Sequence, residues 1–265
     1  MAKNKRKSRL NWLEQVAPWG VPILLIIIWQ LLSQIGWLPT RILPAPTSVL
    51  QAAIQLAKSG ELWRNLYIST VRACIGFLIG GGIGFVLGLL NGLFPIAEKL
   101  LDTTIQMVRN IPHLALIPLV ILWFGIGEQA KIFLVAIGVM FPIYLNTYHG
   151  IRTVDGGLIE MGKVYGLKPW ELFWRISLPG ALPSILVGVR YALGIMWLTL
   201  IVAETIAADS GIGYMAMNAR EFLQTDVVVF SILLYALLGK LADMATALLE
   251  KRLLQWHPNY QTVPA

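Results

Sequence analysis

Apolar runs long enough to cross a bilayer alternate with short polar or proline-rich intervals along most of the chain. A transmembrane helix needs about 20 predominantly apolar residues. On that measure six spans are predicted, at about 16–36, 69–93, 111–127, 130–149, 182–208 and 227–249. The third is the weakest, because Pro112 and Pro118 interrupt it and residues 97–109 before it are amphipathic rather than apolar. A five-span arrangement therefore stays open. The expected fold class is all-α, a polytopic membrane protein of about six transmembrane helices.

Composition agrees with the pattern: 57% of residues are apolar, 13% are charged, and the mean hydropathy is +0.68. The net charge of +7 is explained by orientation better than by nucleic acid, since Lys3, Lys5, Arg6, Lys7 and Arg9 sit directly ahead of the first apolar span. With the N-terminus inside, the inner segments hold thirteen Lys and Arg and the outer segments five. This bias predicts that both termini are cytoplasmic. No small-x-small cleavage site follows Leu32, so an uncleaved first span, flanked by Trp12, Trp19 and Trp37, is expected. Residues 39–46 form a proline-rich external loop, and 47–58 a short interfacial helix with Thr47 at its start. The one cysteine, Cys74, is expected to be inert packing.

In the second span Gly76, Gly80, Gly84, Gly88 and Gly92 recur at every fourth position and drift slowly around one helix face. Such a face lets another helix approach to near backbone contact. It serves either fixed close packing, the favoured alternative, or a surface that slides during conformational change. Charges inside apolar spans are costly and turn toward a partner or the interior. They are Arg72, Arg190, Glu204, Lys240 and Asp243. Lys240 and Asp243, three apart, are expected to pair. Glu204 is expected to shape an outer gate or bond to a neighbouring helix.

A polar interlude at 160–179 separates two apolar segments and has the spacing Glu-x5-Gly-x9-Ile-x-Leu-Pro, carried by Glu160, Gly166, Ile176, Leu178 and Pro179. Gly166 is expected to end a first short helix in the left-handed conformation, and Pro179 to stop a second from running into the next span. Trp170, Leu172, Phe173 and Trp174 form an apolar cluster beside Glu171 and Arg175. That pattern suits a helix seated in a partner's groove, with anchoring at the bilayer surface as the alternative. Gly157-x4-Gly162-Lys163 has P-loop spacing, but Val164 replaces the hydroxyl that would hold magnesium and no strand precedes it. ATP binding by this chain is not expected. His113, His149 and His257 lack companions at ligand spacing, so no metal is expected.

The interlude resembles the cytoplasmic coupling loop of ABC importer permeases, whose motif usually begins Glu-Ala-Ala; Met161 and Gly162 stand in place of the alanines. The likeness continues through 100–127 (LLDTTIQMVRNIPHLALIPLVILWFGIG), 141–152 and 196–226. The resemblance is to the nitrate, sulfonate, taurine and bicarbonate group, and implies a type I ABC importer transmembrane domain. Aliphatic sulfonates are the implied substrate. It further implies that Glu160, Gly166, Trp170, Trp174, Ile176, Leu178 and Pro179 couple to an ATPase. The implied partners are two ATPase subunits carrying ATP and magnesium, a second identical permease, and a periplasmic or lipid-anchored solute-binding protein, all at a bacterial cytoplasmic membrane. The expected organisation is a basic N-terminus (1–15), a first helix and external loop (16–61), the transmembrane domain (62–250) with its coupling loop (150–180), and a C-terminal tail (251–265). Taurine, nitrate or bicarbonate are alternative substrates. An ion-coupled secondary transporter, which has no need of the loop, is the alternative of a different class.

An anion crossing a membrane needs positive groups or hydrogen-bond donors on its route, without a site so tight that release is slow. Arg109, Asn110 and His113 beside Pro112, with Asn146 and Tyr148 at the end of the fourth span, are candidates for a weakly cationic inner vestibule. The plainer alternative is that Arg109 follows the positive-inside bias and Asn110 caps a helix starting at Ile111. Arg190 and Glu204 are further candidates for the path or gate.

Overall fold

The computed structural model describes residues 20–39 and 41–256. The basic cluster at 3–9, Trp12, Trp19 and His257 lie outside the described residues. Among the described residues every regular element is helical. In chain order they are α1 (Gly20–Gln34), α2 (Pro46–Ser59), α3 (Glu61–Leu93), α4 (Pro95–Arg109), a 3₁₀ turn (His113–Leu116), α5 (Ile117–Phe124) and α6 (Glu128–Arg152). Then follow α7 (Gly156–Val164), α8 (Pro169–Leu172), a π turn (Phe173–Ser177), α9 (Leu178–Ala207), α10 (Ile212–Glu221) and α11 (Thr225–Leu253).

Four of these helices are long and apolar enough to span a membrane: α3, α6, the α8–α9 run and α11. The predicted third span is not one continuous helix. α4 and the stretch His113–Phe124 together carry enough apolar residues, but they are bent by 78° at the break between them. Pro112 supplies no amide hydrogen and disfavours helical geometry at Ile111 before it. Gly125, with φ 72°, ends α5 after eight residues, about 12 Å of rise. Asn110 does not cap a helix at Ile111 either; it closes α4, its N–H bonded to the Met107 carbonyl and the Ile111 N–H to that of Val108. Of the predicted first span, α1 is the described part.

The described residues fall into two compact units, residues 20–39 and 41–63 with 215–233, and residues 64–214 with 234–256. In the first, the Thr47 amide donates to Gln30 Oε1 at 3.3 Å. α2 begins at Pro46, not with a Thr47 cap, since a proline at the first helical position needs no hydrogen-bond partner. Gly60, φ 81°, closes it.

The second unit is organised around α6. Its apolar window is 61% buried, against 17% in α11, which makes α6 the core helix and α11 peripheral. The glycine face of α3 lies along it. A Cβ at Gly76 would come within 2.6 Å of Val135 Cγ1, one at Gly88 within 2.7 Å of Thr147 Cβ, and one at Gly92 within 2.8 Å of Ile151 Cβ. At Gly80 and Gly84 it would overlap the backbone carbonyls of Ala136 and Met140. On its other side α6 meets α9 through Gly150, where a Cβ would stand 2.9 Å from the Ala181 carbonyl, and through Gly188, 2.6 Å from Asn146 Cβ. Small residues on both flanks let α6 sit close to two helices at once. Ile117, Val120, Ala130, Leu134 and Ala203 fill the space where α5, α6 and α9 meet. Cys74 is exposed on α3 rather than packed.

Candidate functional site

Three constellations stand out in the second unit. The first is the α7–α8 segment. Asp155 caps α7, its Oδ1 accepting from the Gly157 amide at 2.8 Å. Gly166 has φ 77°, and the Gly166 and Leu167 amides bond back to Lys163 and Gly162 at 2.9 and 3.0 Å. That pair of bonds is a Schellman close, which a left-handed glycine makes without strain. A Cβ at Gly162 would lie 2.7 Å from Ile176 Cδ1 and 3.1 Å from Leu172 Cδ2, so α7 packs tightly on the start of the following helix.

Glu171 accepts from the Lys168 amide at 3.0 Å, and Pro169 occupies the first helical position. Pro179 does not stop this helix: Pro169–Ile206 runs as one helix of 38 residues. The π turn at Phe173–Ser177 widens the backbone just before the proline. The ladder is opened where Pro179 has no N–H to offer, so the ring is accommodated instead of breaking the helix. Trp170, Phe173 and Trp174 cluster, with Trp170–Trp174 centroids 5.4 Å apart and edge-on. Glu160 and Gly166 are exposed, Leu178 and Pro179 half-buried. Val164, Tyr165 and Trp170 are 87%, 79% and 68% exposed, with Leu158 and Met161 also exposed, so α7 and α8 present an apolar surface of their own.

The second constellation is a recess of about 320 Å³ lined by Arg109, His113, Gly138, Phe141, Pro142, Leu145, Asn146, Tyr191 and Ile195. Arg109, His113 and Asn146, singled out from the sequence, therefore meet; Asn110, Glu204 and Arg190 do not line this recess. Arg190 instead bonds Glu250 at 2.8 Å and Asp243 at 3.3 Å on α11, and Lys240 also reaches Asp243 at 3.4 Å. Tyr148 donates to Glu98, which also pairs with Arg152 at 3.4 Å, and Tyr144 donates to Asp102 at 2.8 Å. These polar bonds hold α4, which buries no residue, beside α6.

The third surrounds Glu204, whose side chain has no solvent exposure. Its carboxylate accepts from Ser69 Oγ at 2.8 Å, Arg72 Nη1 at 2.8 Å, the Gly213 amide at 2.9 Å and Tyr235 Oη at 3.2 Å. Arg72 reaches further, to both oxygens of Glu128, to the Ser210 carbonyl at 2.6 Å and to Ser210 Oγ at 2.9 Å. Asn65 accepts from the Gly211 amide at 2.9 Å, and Gly211 needs to be glycine, with φ 108° and the Glu204 carboxylate where a Cβ would go. The network joins α3, α6, α9, α11 and the α9–α10 turn. Beside it, Asp209 is held below the usual carboxylate range by the Ser210 hydroxyl and by its own backbone amide. Ser69, Asn65, Glu128 and Tyr235 carry no local signal; only the cost of charges in apolar spans pointed to Arg72 and Glu204. Among the described residues no group of three His, Cys, Asp or Glu could hold a metal.

A likeness to the inward-facing methionine ABC transporter MetNI extends over 71% of this chain and 93% of that one, with a TM-score of 0.51 and 22% identity. The shared fold is that of a type I importer's membrane domain. The putative aliphatic sulfonates transport permease of Escherichia coli is 66% identical over 94% of this chain and 95% of its own. That of Bacillus subtilis is 43% identical over 98% and 93%. The taurine transport permease of E. coli is 34% identical over 91% and 90%. Residues 80–255 match the family model described as binding-protein-dependent transport system inner membrane component. That stretch holds all three constellations apart from the first residues of α3, and this chain belongs to that family.

Proposed function

We propose that this ABC importer permease carries aliphatic sulfonates inward. The observation that carries the substrate is the 66% identity to a permease named for aliphatic sulfonates, nearly twice the 34% to one named for taurine. In this proposal two copies of the chain pair with two ATPase subunits, which bind ATP and magnesium, and a solute-binding protein delivers the substrate from outside. Both termini are cytoplasmic, as the lysine and arginine bias supports, which places α7 and α8 on the ATPase side. The apolar surface of Leu158, Met161, Val164, Tyr165 and Trp170 is then the face an ATPase groove covers. Glu160 stands on the same short helix. The buried contact of Gly162 with Leu172 and Ile176 supports a stiff unit that passes the ATPase movement into the 38-residue helix.

The test is to replace Gly166 by valine and, separately, Glu160 by lysine. A β-branched residue at φ 77° is strained whatever space surrounds it, and a lysine reverses a charge on the docking face. Both variants are expected to reach the membrane at wild-type levels and lose uptake of 1-butanesulfonate. Co-purification of the ATPase with a tagged permease should fall with it. Wild-type uptake by both variants would overturn the coupling assignment.

A further inference from the structure

The recess between α6 and α9 has a composition that transport alone does not require. From α6 it takes Gly138, Phe141, Pro142, Leu145 and Asn146, and from α9 Tyr191 and Ile195, at the three- and four-residue spacing of facing helical stripes. The last residue of α4, Arg109, and the first of the 3₁₀ turn, His113, complete the lining. No carboxylate lines it, and among the described residues Arg109 has no ion-pair partner. The lining thus offers a guanidinium, a carboxamide and a phenol together with Phe141, Leu145, Pro142 and Ile195. The carboxamide of Asn146 donates to the Pro142 carbonyl at 2.9 Å, which fixes its plane and leaves its second N–H unused.

The floor is built with some care for space. His113 Nε2 lies 2.9 Å from Thr199 Oγ1, a buried hydroxyl one turn beyond Ile195. A Cβ at Gly138 would stand 3.0 Å from that hydroxyl and 3.2 Å from the imidazole nitrogen. Gly138 therefore leaves the His113–Thr199 pair in place and the recess open.

We infer that this recess is a binding station for the sulfonate within the permease, its anionic head on Arg109, Asn146 and Tyr191 and its alkyl tail on Phe141, Leu145 and Ile195. The inference rests on the importer function proposed above and adds to it that the membrane subunit, not only the delivering protein, selects a singly charged head with an apolar tail. Three sulfonate oxygens share one permanent charge, which an arginine fork meets with two parallel hydrogen bonds. The recess is at the small end of ligand pockets, about 300–1,000 Å³. With a single cation the site holds its anion weakly, as passage demands.

The test uses full-length permease in lipid nanodiscs, with 1-butanesulfonate and inorganic sulfate as probes and saturation-transfer NMR of the butyl protons as the readout. Wild type is expected to give a saturable signal that sulfate displaces poorly. Arg109→Gln is expected to raise the half-saturating concentration about tenfold or more, the loss of one charge-assisted hydrogen-bonding partner. Gly138→Ala is expected to weaken binding by displacing the floor, and Tyr191→Phe, which removes one hydroxyl and no packing, to weaken it several-fold. Lys58→Gln on α2, which is not among the lining residues, is the control for general charge. Wild-type binding by Arg109→Gln and Tyr191→Phe, no saturable signal in wild type, or equal displacement by sulfate would each overturn the station. Uptake by cells carrying the ATPase and binding protein separates the two ideas: uptake by wild type and recess variants alike sinks the station only. Absence of butanesulfonate uptake in wild type sinks the substrate assignment.

Discussion

Glu204→Gln is expected to cost the protein most of its transport and a measurable part of its stability. The carboxylate accepts from Ser69, Arg72, Gly213 and Tyr235 with no exposure to solvent. A glutamine of the same shape turns one acceptor into a donor facing donors, and it removes one of the two charges that neutralise Arg72. Removing one partner of a buried pair costs roughly 3–5 kcal/mol, largely from the charge left behind. The variant should unfold at lower temperature in detergent and import at least about tenfold more slowly. Adding Arg72→Met should restore part of the lost stability, since it removes the charge that Glu204→Gln leaves unbalanced. A double variant with the summed loss of the two singles would show that Arg72 and Glu204 are not coupled, and unchanged transport in Glu204→Gln would remove the cluster from the transport cycle.

Gly80→Leu should be more damaging still to accumulation in the membrane. Its Cβ would overlap the Ala136 carbonyl, carbonyl carbon and Cα, all backbone of the core helix. Backbone cannot swing aside as a side-chain end can, so α3 and α6 must part along their shared face. Overpacking of about 1–3 kcal/mol is common where side chains give way, and this site lies at or above the top of that range. Immunoblots of membranes should show little Gly80→Leu protein, with Gly84→Leu close behind. Gly82→Ala, on the same helix with nothing within 4 Å of a new Cβ, should accumulate like wild type. Normal accumulation of Gly80→Leu would mean that α3 and α6 do not lie in contact at this point.

Much of the chain's architecture follows from properties that act over a few residues. Hydrophobic runs identify α3, α6, α9 and α11, because burying apolar surface in a bilayer depends on a continuous stretch. The four-residue glycine repeat marks the close face of α3, and Gly166 marks a turn, because both depend on what a missing Cβ permits locally. Proline showed the limit of such reasoning. Pro112 breaks the predicted third span, whereas Pro179 sits inside a continuous helix because a π turn ahead of it absorbs the missing hydrogen bond.

What lies far apart in the chain was decided by tertiary structure. Arg72 and Glu204 could each be recognised as costly charges, but nothing in either neighbourhood names the other, 132 positions away, or brings in Ser69 and Tyr235. Arg190 looked equally available for the path and is instead taken up by Asp243 and Glu250 of α11. Arg109, His113 and Asn146 were visible as polar residues near span ends, yet the apolar wall of Phe141 and Ile195, the Thr199 prop and the opening left by Gly138 exist only because α6 and α9 cross there. Local periodicity sets which residues enter the membrane; the pairing of one buried charge or one concave surface with its counterpart is an energy of contact, and contact is fixed by how the helices pack.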